Sequence, residues 1–465
     1  MECKQAGSDP VVWLPLPAVQ KQTERSKTMR NEVIFDKWGN PDIMVAFTPD
    51  ELGLPAELKG KKVSEYLIAK YQATIINGVP YSLPYQKPAV DVNLDQAIEL
   101  CETKGPGWHL ITNDEWAALA RQSLKLGTMP TGNTNSGKSD SHPEQTGTTY
   151  DGGYGKTLTG SGPVEWNHDG TAEGVADMCG NVWERVGGIR FLNGQVQVIP
   201  DNGAAAGADQ SRNSKEWTAL YTADGDPVYY NVKDGEIVLQ PTAPKEKDYD
   251  GVFFCCLHER KDMEVPDKLI ELGLYPPTGY EGSEYFWLDT NDGRCVFRGG
   301  DWGSGAGAGV FSLGGDYSRA YSSAGIGFRS AYVRYSGDSD TLDNLDDEAT
   351  DLSGAPEDVK EQIKANDEKL KARAAFLLPE TLPEIVRYAL ARQLAKIYAA
   401  AGGKDVDAFT RKAYEATDEE LRQSAALSGS LVQVNIATDT MIRAMEQVLA
   451  ATSALTKGKE ATDHE

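Results

Sequence analysis

The stretch RGGDWGSGAGAGVFSLGGDYSRAYSSAGIGFRSAYV, residues 298–333, is about a quarter glycine, yet Trp302, Val310, Phe311, Leu313, Ile326 and Phe328 punctuate it. A flexible linker has no use for such residues, which are the types most often found inside a core. The pattern predicts a backbone pinned at intervals by apolar side chains, with small side chains between the pins.

The rest of the chain bounds what such a segment can serve. A length of 465 residues suggests about three domains, and 40% hydrophobic content allows one sizeable core and a smaller one. The net charge of −24 repels phosphate backbones and anionic lipid, so neither nucleic acid nor a membrane surface is expected as a partner. No apolar run reaches the roughly 18 residues of a membrane span, so no membrane insertion is expected. VVWLPLPAV (11–19) is short, holds two prolines and follows no basic region, so it is not read as a signal peptide. Six cysteines without CxxC spacing argue against a zinc knuckle or a disulfide framework. Cys255 and Cys256, in GVFFCCLHER, read as small apolar residues of a buried strand.

Residues 1–60 read as an irregular lead-in. SEYLIAKYQAT (64–74) is rich in strand formers. NLDQAIELCETKG (93–105) reads as a helix, with Leu94, Ala97, Ile98 and Cys101 on one face and Asn93 with Gln96 as cap. WHLITNDEWAALARQSL (108–124) opens a second helix through the capping box Thr112-x-x-Glu115, with Trp116, Leu119 and Ala120 facing the core. Residues 126–163 lack helical periodicity and read as a large surface excursion. VQVIP (196–200) and EYFWL (284–288) are strand-like.

After Tyr335 the composition changes. Residues 336–358 hold many acids and no Lys or Arg, which suits a solvated linker better than a calcium-binding loop. Residues 359–465 read as an α-helical tail. One helix spans 383–401, and the last places Leu427, Leu431, Val434, Thr438, Met441, Met445 and Val448 at alternating spacings of four and three. An intramolecular bundle and an oligomer seam both fit, and either makes the tail a docking or oligomerisation element.

Four pieces in order, YLIAKYQAT, WHLITNDEWAALARQ, CGNVWERV (179–186) and GGDWG…IGFRSA (299–331), resemble the motifs of formylglycine-generating enzymes, the sulfatase-modifying-factor variant of the C-type lectin fold. The resemblance covers roughly residues 61–335 and implies an α+β, C-type-lectin-like fold of the formylglycine-generating-enzyme type, here with an α-helical C-terminal domain. Enzymes of that family hold copper with paired cysteines, one directly after the Phe-Arg of the closing motif. Ser330 stands there, and no cysteine follows Cys295. A hydroxyl does not bind Cu(I) as a thiolate does. The five histidines show no ligand-like spacing for an iron site. Catalysis of the family type is therefore not expected. The resemblance also implies that Asn181 and Glu184 could hold a structural calcium, with a plain hydrogen-bond network as the alternative. Arg298 and Arg329 are expected to bind backbone carbonyls or a carboxylate, and Trp183 to be core.

The segment 298–333 further resembles the variable region of diversity-generating retroelement target proteins, in which a reverse transcriptase copies a template with errors at adenines. The resemblance implies fixed anchors at Gly299, Gly300, Trp302, Gly305, Ala308, Gly309, Val310, Phe311, Leu313, Ser322, Ile326, Gly327, Phe328 and Arg329. It implies variable, ligand-binding positions at Asp301, Gly303, Ser304, Gly307, Gly314, Gly315, Asp316, Tyr317, Tyr321, Ser323 and Gly325, all residue types reachable from an asparagine codon by changing its adenines. Gly, Ser, Asp and Tyr are also the residues of adaptable binding surfaces.

The expectation is a non-enzymatic protein displaying a diversified binding surface to a protein or glycan receptor on a cell. A phage tail fits this role, with the bacterial cytoplasm as the alternative location, and the tail offers homo-oligomerisation. No cofactor beyond a structural calcium is expected. The competing readings are a copper- and oxygen-dependent formylglycine-generating oxidoreductase and a conventional carbohydrate-binding lectin.

Overall fold

The structure, a computed structural model, describes residues 30–337 except 38–40, 77 and 262. The chain forms two units, Met1–Asn31 with Met44–Ser336, and Glu32–Ile43 with Gly337–Glu465. In the second, the described residues belong mostly to strand β1 (Arg30–Phe35) and to the first residues of β2 (Pro41–Phe47). The acidic stretch beyond Gly337 and the helical tail lie outside the described residues, as do the helix and heptad pattern expected there.

Two antiparallel runs close the first unit on itself. Strand β3 (Lys61–Ala69) pairs with β2 on one side, Met44 opposite Ala69, and with the last strand on the other, Ala331 opposite Ile68. Met44, Val45, Ala46 and Phe47 are all buried, and Thr48 caps a short helix, Pro49–Leu52, that follows. This part of the expected irregular lead-in is therefore regular. A run buried on both faces shows no alternation, which is why it reads poorly as a strand.

Helix α1 (Leu94–Glu102) carries the Asn93–Gln96 capping box and buries Leu94, Ala97 and Cys101. A strand, β4 (Trp108–Leu110), occupies the start of the segment read as the second helix. Helix α2 (Asn113–Leu126) then begins at the Thr112–Glu115 box and ends at Gly127, whose φ of 68° suits glycine. Trp116, Leu119 and Ala120 are buried, and Trp116 Nε1 donates to the Val310 carbonyl at 2.8 Å.

The larger sheet carries the segment of interest. At its centre lie β5 (Trp183–Leu192), β6 (Tyr285–Asp289), β7 (Arg294–Gly299) and β8 (Gly309–Ser318), in the order β6-β8-β7-β5. The strands Gln195–Val198, Tyr229–Lys233 and Glu236–Gln240 continue it beyond β5, and Tyr249–Phe253 extends it beyond β6. β9 (Ile326–Phe328) runs parallel to β5, with Ile326 opposite Trp183. β10 (Ser330–Tyr335) crosses into the first sheet, between β3 and β4. Segment 298–333 thus threads both sheets. Cys255 and Cys256 lie, half-buried, in a 3-10 turn after the strand Tyr249–Phe253 rather than in a buried strand.

Candidate functional site

Two buried arginines frame the segment. Arg298 is fully enclosed, donating to Asn113 Oδ1 at 3.0 and 2.7 Å and to the carbonyls of Leu272 and Gly273. Burial pushes its pKa down to about 9. Arg329 makes a two-pronged ion pair with Glu184, both contacts 2.6 Å, and donates to the carbonyls of Ala69 and Ala176. Both therefore hold backbone, as expected. Val310, Phe311, Leu313, Ile326 and Phe328 are buried between them.

The loop 300–308 closes on itself. Asp301 Oδ1 accepts from Gly303 N–H at 3.0 Å and from Ser304 Oγ at 2.9 Å, and Ser304 Oγ accepts the Asp301 N–H. The surface excursion supports it from outside: Ser136 N–H donates to the Trp302 carbonyl, and Gly305 N–H to the Thr134 carbonyl. Lys156, also from the excursion, sits 4.2 Å from the Trp302 ring and donates to the Ala324 carbonyl. Trp302 is half-buried, and Ser322, expected as an anchor, is exposed.

Beside this loop the sheet presents aromatic rings. Tyr317 and Tyr321 stack at 3.8 Å and 14°, and Tyr317 also meets Phe297 at 6.0 Å. Trp183 stands edge-on to Phe297 at 5.0 Å and is half-buried rather than core. Beyond β8, Trp287 stacks with both Tyr249 and Tyr285. Tyr249 and Tyr317 are 50% and 38% exposed, so the rings form an accessible surface. Arg185 lies beneath, its guanidinium 5.5 Å from the Phe297 ring; it donates to the Tyr321 carbonyl, while Nε and Nη1 have no hydrogen-bond partner among the described residues. Asp316 Oδ1 is likewise buried without a partner, and burial pushes this carboxyl up to about 6.

The eleven positions expected to bind ligand divide into groups. Asp301, Gly303 and Ser304 lie on the loop 300–308 and Ser323 and Gly325 on a second loop, 319–325, where a Cβ at Gly325 would stand 3.3 Å from Asp301 and 3.6 Å from Trp302. Asp316, Tyr317 and Tyr321 belong to the aromatic part, and Gly307 borders Tyr285. Gly314 and Gly315 are buried instead. A Cβ at Gly314 would stand 2.0 Å from the Phe297 ring, and one at Gly315 would stand 2.8 Å from Phe191. Small size at these two positions serves packing, so neither offers a side chain to a ligand. The sequence reading placed Trp183 in the core and gave no site role to Phe297, Arg185, Lys156 or Trp287, which lie outside the segment's expected variable positions.

The residues expected to hold calcium do not fit it. Asn181 Oδ1 accepts from Thr157 N–H at 2.8 Å and from Asn133 Nδ2 at 3.1 Å. Glu184 accepts from Arg329 through both oxygens, and Gln72 Nε2 adds a third donor. These oxygens are spent on donors, and among the described residues no cluster of His, Cys, Asp and Glu has metal-site geometry. Copper fits no better. Ser330 is buried with its hydroxyl 3.3 Å from Cys101 Sγ, so one thiol, not two, stands at that position. Among the described histidines, His109 bonds Glu115 at 2.9 Å and His168 accepts from Val175 N–H, both in structural roles.

Among the described residues, no helix is long and apolar enough to cross a membrane. The sulfatase-modifying factor enzyme 1-like domain model matches residues 61–189, the part of the chain holding the first three motifs. No curated protein matches the chain. Among solved structures, PvdO from Pseudomonas aeruginosa is 17% identical, with 66% of this chain and 100% of that one covered and a TM-score of 0.30. Treponema denticola variable protein 1 is 13% identical, with 66% and 93% covered and a TM-score of 0.25. The Major Tropism Determinant U1 variant is 12% identical, with 66% and 72% covered and a TM-score of 0.23. With its strand-rich described unit, few helices and a matching domain over residues 61–189, the chain has the α+β, C-type-lectin-like fold of the formylglycine-generating-enzyme type.

Proposed function

We propose that this protein is a non-enzymatic binder whose ligand surface is the aromatic face and the two loops around it, diversified at the side chains that reach solvent. One observation carries the reading: exposed Tyr317 stacks on half-buried Tyr321 beside loops whose backbone is held by groups from elsewhere in the chain. Tyrosines on a rigid frame supply contact area at small entropic cost, and Ser, Asp and Gly beside them supply adaptable hydrogen bonds. The replacement of a thiol by Ser330 and the fully used oxygens of Asn181 and Glu184 leave the family's chemistry without its ligands. A cell-surface protein or glycan is the receptor class we assign, with the chain serving on a phage tail.

The genome neighbourhood tests diversification. A reverse transcriptase gene and a near-copy of the DNA for residues 298–333, differing only where the copy has adenine, are expected; the lack of both refutes it. Binding is tested by panning the full chain against host cells. Y317A and Y321A should abolish capture without loss of folding. Capture that requires calcium and survives both substitutions would instead point to a conventional lectin.

A further inference from the structure

Glu284 stands immediately before β6 and is 6% exposed. Its Oε1 accepts from the Tyr280 hydroxyl at 2.6 Å, while Oε2 is buried with no hydrogen-bond partner among the described residues. Two glycines make its room. A Cβ at Gly282 would stand 2.1 Å from Oε2, and one at Gly309 would stand 2.3 Å from Cγ. Burial holds the carboxyl above its ordinary range. A buried acceptor left without a donor costs free energy, and a buried carboxylate costs more unless a cation meets it.

Glu284 also lines a cleft of about 600 Å³ between the loop 277–284, the end of α2 and the start of β8. Leu124, Met129, Pro130 and Pro277 form an apolar wall, and Glu281 adds a second carboxylate. Among the described residues, no Lys, Arg or His lines it. The geometry points to a binding site for an alkylammonium group: the methylene chain lies along the apolar wall, and the ammonium donates to Glu284 beside the Tyr280 ring. A bare divalent ion would need six or more oxygen ligands, which this lining does not gather. A cation that brings its own apolar stem matches both halves of the cleft, whose volume suits a small ligand. The site is independent of diversification, since Glu284, Tyr280 and the apolar wall lie outside residues 298–333.

The test titrates the full chain with pentylamine, with N-acetyl-lysine N-methylamide and with 1-pentanol, following binding by calorimetry and protein-observed NMR. Pentylamine should bind, 1-pentanol should not, and E284Q should weaken pentylamine by at least about tenfold, the loss of one charge-assisted contact. Binding of the lysine derivative as well would assign the site to a polypeptide lysine, and binding of pentylamine alone to a free amine. Equal binding of 1-pentanol, unchanged affinity in E284Q, or displacement of the amine by calcium overturns the proposal. Y280F keeps the carboxylate and frees its second oxygen, so it should bind pentylamine at least as tightly. Loss of binding in folded Y280F also overturns the assignment.

Discussion

Replacing Gly314 with asparagine, the residue a retroelement template commonly encodes, puts a side chain where the Phe297 ring now lies. The new Cβ alone would stand 2.0 Å from Cε2 of that ring, far inside contact distance. Phe297 cannot yield cheaply, because Trp183 stands edge-on to it and the Arg185 guanidinium lies 5.5 Å from its centre. Backbone strain plays no part, since Gly314 is not in the left-handed region. The cost is therefore that of overpacking a filled site, about 1–3 kcal/mol. For a domain of this size, with about 2.1 cal/mol/K of unfolding entropy per residue, that lowers Tm by roughly 2–5 °C. Gly303 is the control: it is exposed, and its nearest neighbour to a new Cβ is Asp301 at 3.7 Å. G303N should stay within about 0.5 kcal/mol of the parent. Urea titrations of both variants read the difference. Adding F297A to G314N should cost less than the two single changes summed, since the clash is then gone. If G314N proves as stable as G303N, then Gly314 is a free surface position and the division of the segment into buried and displayed glycines is wrong.

E184Q leaves Arg329 buried beside a neutral partner, and should cost about 3–5 kcal/mol in urea unfolding; a loss below about 1 kcal/mol would refute the framing role of this pair. D316N tests the pH dependence: Asp316, raised to about 6 by burial, binds a proton more tightly folded than unfolded. Its contribution to stability therefore falls as pH rises from about 4 to about 6. D316N should remove that slope and gain roughly 2–3 kcal/mol above pH 6, and an unchanged slope refutes the assignment. K156M keeps length but loses the donor to Ala324 and the charge beside Trp302, so hydrogen exchange should rise in 300–308 and 323–325 and stay unchanged in β7.

Local chemistry made much of this legible. The capping boxes at Asn93 and Thr112 need only residues three apart, and both form as their spacing predicts. The apolar punctuation of 298–333 marks the buried positions of β8 and β9 for the same reason. What stayed hidden depends on partners far along the chain. Gly314 reads as replaceable because nothing near it is large; Phe297, 17 positions earlier, lies over it only through the register of β7 against β8, which shifts between Cys295 and Phe297. Trp183 reads as core from its place in CGNVWERV, but it begins β5 where its N–H meets the Gly325 carbonyl of the loop 319–325, and its side chain is half-buried there.

The arrangement explains how a binding face could tolerate replacement. Loops usually hold their shape through their own side chains, so changing those side chains changes the loop. Here the main chain of both loops is tied to groups outside the replaceable set. Ser136, Asn181 and Thr134 bond the backbone of Trp302 and Gly305; Leu94, Asp91 and Trp183 bond that of Arg319, Ser323 and Gly325; and Lys156 and Arg185 reach the carbonyls of Ala324 and Tyr321. The exceptions are contacts made by the residues proposed as replaceable: Asp301 with Ser304, and Ser323 Oγ, which accepts from the Gly325 N–H at 3.3 Å. Changing Tyr317 or Tyr321 should therefore leave the loops in place, whereas D301A should loosen 301–304 alone. Crystal structures of Y321A and D301A would check this: a shift of the 319–325 backbone beyond about 1 Å in Y321A, the scale on which preformed binding surfaces keep their shape, would show that the face is shaped by the residues it displays and not by the frame beneath them.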